Sequence, residues 1–382
     1  MKRSLLLICL SFILAISCRS DSEKSQNTID SSLSDIQYAT GFQLKEETDG
    51  TTILTITSPW PGADIKFTYW LVPRGVQVNE DSLNAKADAI IRTPVQKYIA
   101  TSTTHIAALE SLGALDALIG FPGTQYVSSK KARELIDSKH VQELGANESL
   151  NTEMTLALDP EVVFGFSVSD KNSSYDFLED AGIPVLYNGD WTEHSPLGKA
   201  EWIRFFAPFF GKEKEADSIF STIEASYNKA RILAAGSQDT PTVMSGALYK
   251  DVWYLPAGDS WAAQFVEDAN ARYLWADSPG TGSLSLSLEH VLERASDADV
   301  WIAASQFTSI DELLDASVHY AQFKPVKQKK IYTYALKKGA TGGVIYFESG
   351  PQRPDLVLKD LIHIFHPHLM PSYQLHFFSP LE

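Results

Sequence analysis

Aromatic side chains stand at or just after the ends of several predicted strands. They are Phe121, Phe166, Trp191, Tyr249, Trp253 and Trp261. Aromatic rings stack on planar or macrocyclic ligands at a low cost in conformational entropy, although any single ring can equally belong to the core. We predict that several of them line a ligand site, with Gln306 as a further contact.

Two glutamates occupy equivalent places in a weak internal repeat. Asn151-Thr152-Glu153 and Ser287-Leu288-Glu289 each open a short predicted helix, and a predicted strand follows each helix. An acid in the first turn stabilises the helix dipole by roughly 0.3–1 kcal/mol and needs no other role. One exposed carboxylate in each repeat can also pair with arginines of a symmetric partner. The repetition favours Glu153 and Glu289 as a docking pair.

The sequence lacks the motifs of several enzyme classes, namely the nucleophile elbow, the P-loop and the zinc-protease helix. Ser102 and His105 are the candidates for catalytic groups, yet no base and orienting group accompany them. A free zinc or manganese ion needs three or four His, Asp or Glu ligands, and His105 is the only histidine expected near the ligand site. The sequence therefore predicts a binding protein that is not an enzyme and has no resident metal.

Composition and charge narrow the classes further. The chain has 382 residues, of which 44% are hydrophobic and 21% charged, and this is typical of a globular protein of about two domains. Its 32 Lys and Arg against 48 Asp and Glu give a net charge of −16, which disfavours binding to nucleic acid or to anionic lipid. Both cysteines, Cys9 and Cys18, precede the predicted globular part, so no intrachain disulfide is expected there.

The N-terminus has the pattern of a secretion signal. Lys2 and Arg3 precede an apolar run that is too short for a membrane span, and Ala15-Ile16-Ser17-Cys18 has the pattern of a bacterial lipobox. We expect residues 1–17 to be a signal peptide and Cys18 to be acylated after cleavage, with palmitate among the acyl groups; an ordinary signal peptide is the alternative. The polar segment 18–35 is predicted to be a disordered tether.

The rest of the chain divides by its hydrophobic patterns. Alternating residues and the Asp49-Gly50 turn signal predict a β preamble over 36–85. Buried runs separated by helices predict an N-terminal lobe over 86–195 and a C-terminal lobe over 237–382. Between them, 196–236 is predicted to hold linker helices, the longest with one apolar stripe. The predicted fold is α/β, with two Rossmann-like lobes bridged by a long helix around a cleft.

Several of these motifs resemble a known family. Ser102-Thr103-Thr104-His105 with Leu112-Gly113-Ala114-Leu115 looks like the first strand–helix unit of the cobalamin- and iron–siderophore-binding proteins of ABC importers. Asn151-Thr152-Glu153 with the segment 158–163 is similar to the most recognisable stretch of that family. The resemblance implies two lobes on one long helix, and it implies that Glu153 and its C-terminal counterpart Glu289 contact the permease.

Other segments are similar to a Bacteroidetes-type lipoprotein subgroup of the same family. They are Trp191 with the segment 196–203, the segments 347–350 and 354–361, and His366-Pro367. The β preamble is unusual for the smallest members, and Pro208 interrupts the approach to the long helix. The resemblance spans about residues 90–370 and does not determine the ligand.

The resemblance implies a solute-binding lipoprotein. It would bind an iron–siderophore, cobalamin or haem-like metal chelate between its lobes and deliver it to an ABC permease whose ATPase subunits hydrolyse ATP. Two alternatives stay open, namely a free zinc- or manganese-binding protein of an ABC importer and a surface lipoprotein that relays the ligand without touching a permease. We expect a monomer in the periplasm, anchored to the inner or outer membrane only through the lipid on Cys18, with no other covalent group.

Overall fold

The computed structural model describes residues 36–382, apart from positions 80, 82, 84 and 85. The predicted signal peptide, the lipidation of Cys18 and the tether lie outside the described residues. Within the described residues, no helix combines the length and the apolar character that a membrane span requires.

The β preamble forms a four-stranded sheet, here called the preamble sheet. Its strands are β1 (Phe42–Glu46), β2 (Thr52–Ile56), β3 (Phe67–Pro73) and β4 (Ala89–Thr93), in that spatial order. The first three strands are antiparallel, and the Asp49 carboxylate accepts the Thr51 N–H in the turn between β1 and β2. β4 pairs in parallel with β3, so the sheet extends beyond the expected boundary at residue 85.

The N-terminal lobe has a five-stranded parallel sheet in the order β11-β10-β5-β6-β7. Its strands are β5 (Tyr98–Ala100), β6 (Leu118–Phe121), β7 (Gln142–Glu143), β10 (Val162–Gly165) and β11 (Val185–Tyr187), and a small ladder pairs β8 (Gly145–Ala146) with β9 (Ser149–Leu150). Its helices are α1 (Thr103–Ser111), α2 (Lys130–Asp137), α3 (Thr152–Leu158) and α4 (Ser173–Asp180). The α4 helix was not predicted; the Asn172 side chain caps it by accepting the backbone N–H groups of Ser174 and Tyr175.

The linker contains α5 (Pro196–Glu201), α6 (Ile203–Phe206) and α7 (Glu213–Ala235). A 3-10 turn at Ala207–Phe209 and Gly211, with φ of +63°, separate α6 from α7, as Pro208 and Gly211 predicted. The long helix α7 spans roughly 35 Å at 1.5 Å per residue. Its buried stripe is shared, since Ala216, Phe220 and Ile223 belong to the core of the N-terminal lobe, and Tyr227, Ala230 and Ala234 to that of the C-terminal lobe.

The C-terminal lobe has a five-stranded sheet in the order β15-β12-β17-β18-β19, parallel except for β19. Those strands are β12 (Thr242–Ser245), β15 (Arg272–Tyr273), β17 (Val300–Ile302), β18 (Ile331–Thr333) and β19 (Ser379–Pro380). A separate antiparallel sheet contains β13 (Ala247–Tyr249), β14 (Val252–Pro256) and β16 (Ser283–Leu286). The helices are α8 (Trp261–Asp268), α9 (Leu288–Ala295), α10 (Ile310–Ala316), α11 (Lys324–Gln328), α12 (Ile345–Ser349) and α13 (Pro354–Phe365). The predicted α/β class with a long bridging helix is confirmed.

Candidate ligand cleft

A cavity of about 770 Å³, here called the main cavity, lies between the two lobes. The N-terminal lobe contributes residues from the ends of β5, β6 and β10 and the loops after them, which leave the same edge of the parallel sheet, and from β8 and the turn after it. The C-terminal lobe contributes Gln306, the segment 342–344 and Phe347. The volume of the main cavity falls within the ~300–1,000 Å³ that is usual for ligand sites.

Aromatic rings from both lobes face the main cavity. Phe121 is buried and Phe166 half-buried, and both line the cavity. Tyr126 and Phe347 also line it and are 63% and 45% exposed, so their surfaces are open to a ligand. The prediction missed these two because neither directly follows a strand; Tyr126 comes after the turn at Gly123, and Phe347 lies in α12.

A second cavity, of about 610 Å³, adjoins the main cavity and is here called the preamble cavity. Four parts of the chain line it: Thr40, the β2–β3 loop of the preamble sheet, the segment 191–194, and C-terminal-lobe residues that include Trp261. The rings of Trp191 and Phe166 lie 5.6 Å apart between centroids, which links the two cavities. The indole N–H of Trp191 has no hydrogen-bond partner among the described residues.

A smaller apolar cavity of about 210 Å³ extends into the C-terminal lobe. It shares Trp261 with the preamble cavity and Phe347 with the main cavity, so all three belong to one cleft. The Lys199 ammonium lies 5.0 Å from the centroid of the Trp261 ring and donates to the Asp190 carbonyl. Burial lowers the pKa of Lys199.

Two of the predicted ligand contacts lie elsewhere, which corrects the prediction. Trp253 is fully buried on β14, where its ring packs 5.4 Å from that of Trp301 and its indole N–H donates to the Ser245 carbonyl. Tyr249 is 66% exposed and does not line any of the three cavities. Both residues belong to the antiparallel β13–β14 hairpin, whereas the sequence pattern indicated strand ends at the cleft.

Ser102 and His105 lie in different surroundings. His105 is fully buried, lies 5.5 Å from Phe206 between ring centroids, and neither ring nitrogen has a partner among the described residues. Desolvation lowers the pKa of His105 to about 4, although the nearby Asp190 opposes the shift. The expectation that His105 lies at the cleft is wrong, because its helix face packs into the core. Ser102 caps α1 at the rim of the main cavity.

The part of the chain that the structure describes contains no group of three or more His, Cys, Asp and Glu side chains that could hold a metal ion. A free zinc or manganese ion would need such a group.

Glu153 and Glu289 occupy matching places in the two lobes. Glu153 is exposed in the first turn of α3, and Glu289 is exposed in the first turn of α9. Hydrogen bonds from its own backbone N–H and from the Ser287 hydroxyl lower the pKa of Glu289, so this carboxylate is ionised at neutral pH. Both are therefore accessible to a partner, as the docking hypothesis requires.

The two lobes touch beside the main cavity. The backbone N–H of Ser128 donates to the buried Glu348 carboxylate at 2.5 Å, and the Ser128 hydroxyl donates to the Gly343 carbonyl at 3.0 Å. A Cβ at Gly343 would lie 2.1 Å from the Tyr126 carbonyl oxygen, so this approach requires glycine. Burial raises the pKa of Glu348 to about 7, against the opposing effect of the Ser128 and Ser129 N–H groups.

The periplasmic binding protein family matches residues 99–336. The chain belongs to this family. The matched segment contains most of both lobes and the whole of α7, and it begins after the preamble sheet. The predicted family is therefore confirmed, and its members are solute-binding proteins.

The chain is similar to an archaeal lipoprotein and to solved structures. An uncharacterized lipoprotein of Methanocaldococcus jannaschii is 27% identical over 299 residues, which cover 76% of this chain and 69% of the relative. The periplasmic heme-binding protein RhuT from Roseiflexus sp. RS-1 has 19% identity and a TM-score of 0.55, covering 72% of this chain and 100% of that one. A protein of an ABC-type Fe3+-hydroxamate transport system from Saccharomonospora viridis has 18% identity and a TM-score of 0.53, covering 72% and 94%. These two structures share the fold, and the fold alone does not select the ligand.

Proposed function

We propose that this periplasmic binding protein is the solute-binding lipoprotein of an ABC importer and that its ligand is a metal chelate. The main cavity carries this proposal, because both lobes line it with aromatic rings and its volume of about 770 Å³ suits a large ligand. The chelate is a ferric siderophore, a cobalamin or a haem. The chelate is cargo, and the protein has no covalent group other than the lipid on Cys18.

Transport follows from the arrangement of the lobes. Glu153 and Glu289 each present an exposed carboxylate, one per lobe, to arginines of a permease whose ATPase subunits hydrolyse ATP. The lipid on Cys18 holds a monomer in the periplasm, at the inner or outer membrane. Since α7 is packed into both cores, closure on the ligand is expected to be small compared with a hinged binding protein.

Tryptophan fluorescence of the full chain in detergent tests the ligand class. The probes are hemin, cyanocobalamin, ferrioxamine B, zinc and manganese. A chelate at micromolar or lower concentration is expected to quench the fluorescence saturably, because Trp191 and Trp261 line the cleft. Trp191→Phe is expected to lose part of that quenching, whereas Trp275→Phe, in the C-terminal core, keeps it.

Other outcomes of these measurements would change the ligand class or the role in transport. A response to zinc or manganese alone would replace the chelate by a free metal ion. If no probe quenches the fluorescence, the proposed ligand class is contradicted, while the fold and the family are unaffected. Chelate binding without import would favour a surface lipoprotein that relays the ligand.

A further inference from the structure

The β2–β3 loop of the preamble sheet forms one wall of the preamble cavity. Ser58 and the segment 60–63 face the C-terminal-lobe segments 260–262 and 281–283 across it. This wall lies outside the residues 99–336 that the family matches. The cavity therefore depends on a part of the chain that membership in the family does not explain.

The wall is fixed to the N-terminal lobe by packed rings and backbone. The Trp60 ring lies 5.3 Å from that of Tyr187, and Phe67 stacks on Tyr187 at 4.9 Å between centroids. A Cβ at Gly189 would lie 2.1 Å from the Ser58 carbonyl oxygen, so the two backbones are in direct contact. Such contacts hold the loop in place before a ligand arrives, which lowers the entropic cost of binding.

The carboxylate that lines the cavity already accepts hydrogen bonds from other parts of the chain. Glu193 accepts the backbone N–H groups of Thr40 and Gly41, each at 2.9 Å, and the indole N–H of Trp202 at 2.8 Å. Charge-assisted hydrogen bonds of this kind satisfy a buried carboxylate. Glu193 therefore anchors the strand β1 rather than offering a charge to a ligand.

The remaining lining is aromatic and hydroxylic. Trp191 and Trp261 supply indole rings, and Thr281 and Ser283 are exposed hydroxyl residues of the lining. Among the described residues that line the cavity there is no lysine or arginine, and Glu193 and His194 are its titratable groups. Indoles with hydroxyl groups favour an uncharged aromatic group that carries polar substituents, and they disfavour an anion.

We propose that the preamble cavity is a second subsite, which binds an uncharged aromatic arm of the chelate while the main cavity holds the metal-bearing core. This inference rests on the proposed function. The two subsites are neighbours, because Phe166 in the main cavity and Trp191 in the preamble cavity are 5.6 Å apart between ring centroids. The small apolar cavity shares Phe347 with the first and Trp261 with the second, so one extended ligand can reach both. The preamble sheet then selects chelates that carry such an arm over those that lack it.

Fluorine NMR of the full chain labelled with 5-fluorotryptophan tests the subsite without requiring the natural ligand. The probe is catechol, a small uncharged aromatic diol, and trans-1,2-cyclohexanediol is its non-aromatic counterpart. Catechol is expected to shift the resonances of Trp191 and Trp261 saturably, while the buried Trp253 and Trp301 stay in place. The cyclohexanediol is expected to cause no comparable shift, since it cannot stack on an indole.

Two substitutions in the C-terminal lobe locate the probe. Thr281 lines the cavity and is exposed, so Thr281→Phe fills space without disturbing the core and is expected to weaken catechol binding at least about tenfold. Ser285→Phe is the matched control, because Ser285 is exposed on the nearby strand β16 and does not line the cavity. It is expected to leave catechol binding within about twofold of the unsubstituted chain.

The results separate this inference from the proposed function. Absence of a catechol shift, or a shift that Thr281→Phe leaves unchanged, overturns the subsite even if hemin or cyanocobalamin quenches the fluorescence. A saturable catechol shift that Thr281→Phe removes supports the subsite even if every chelate in the panel fails to bind. Equal shifts with both diols would indicate a site without aromatic selectivity and would also overturn the proposal.

Discussion

Glu348 gives the interface between the lobes a dependence on pH, which Glu348→Gln is expected to remove. Its carboxyl group is 4% exposed and accepts the Ser128 N–H across the interface. Burial raises its pKa from 4.5 to about 7, the N–H groups of Ser128 and Ser129 oppose that shift, and the Glu110 carboxylate adds to it. The folded protein therefore favours the protonated carboxyl group relative to the unfolded chain.

The sign and size of the effect follow from linkage between protonation and folding. With the folded pKa above the unfolded one, the stabilisation is complete below pH 4.5 and is lost as the pH rises through about 7. Between pH 8 and pH 5, Glu348 should add about 2.5 kcal/mol to the free energy of unfolding. A glutamine side chain cannot ionise, so the Glu348→Gln variant should lack this increment.

Urea unfolding of both proteins at pH 5, 6, 7 and 8 measures the difference, with the other titrating groups cancelling between the two curves. Glu267→Gln is the control, since Glu267 is exposed on α8. The reasoning is refuted if Glu348→Gln and the unsubstituted chain show the same change in unfolding free energy from pH 8 to pH 5.

Three further predictions concern docking, the preamble sheet and the long helix. Replacing both Glu153 and Glu289 by Ala is expected to abolish uptake in cells while the purified protein keeps its affinity for the chelate; unchanged uptake would contradict the docking role. Gly189→Ala places a methyl group against the Ser58 carbonyl, and should lower the melting temperature and detach the preamble sheet, seen as faster hydrogen exchange in β1–β3; unchanged exchange would contradict the packing argument. Phe220→Ala should cost about 3–5 kcal/mol in urea unfolding because it leaves a cavity in the core, and a loss below about 1 kcal/mol would contradict that placement. Glu134→Ala is the control for the docking variant, Gly236→Ala for Gly189→Ala, and Ile232→Ala for Phe220→Ala. These controls are at exposed or unstrained positions.

The sequence predicted the layers of the fold because buried apolar residues recur at the period of the helix or strand that carries them. The apolar stripe of α7 identified the helix, and the break before it followed from Pro208 and Gly211. α4 was missed because its cap and its apolar residues are spread over a polar segment. The extension of the preamble sheet was missed because β4 pairs with β3 in parallel across an intervening segment.

The site was harder to predict, because the sequence of a strand does not indicate which other strand it pairs with. The pattern around Trp253 is that of a buried strand, and only the antiparallel pairing of β13 with β14 directs its ring toward Trp301. Phe121, Phe166, Trp191 and Gln306 lie at the cleft because the ends of parallel strands share one edge. Trp261 also lies there, but it follows the antiparallel strand β14.

No local sequence pattern predicts the preamble cavity. It exists because the β2–β3 loop meets Gly189 and Trp191 across a long separation in sequence. A contact of that kind depends on tertiary packing, and no hydrophobic periodicity within the loop predicts it.

The sharing of α7 between the cores also bears on how the protein unfolds. Neither lobe can retain its full hydrophobic core once the opposite end of this helix frays, because Phe220 and Tyr227 are only about two helical turns apart and serve different lobes. Cooperativity in a helix passes from turn to turn through its hydrogen-bond ladder. A bilobed chain built in this way is expected to melt in a single transition, so a ligand held at the cleft would protect residues in both lobes that it never touches.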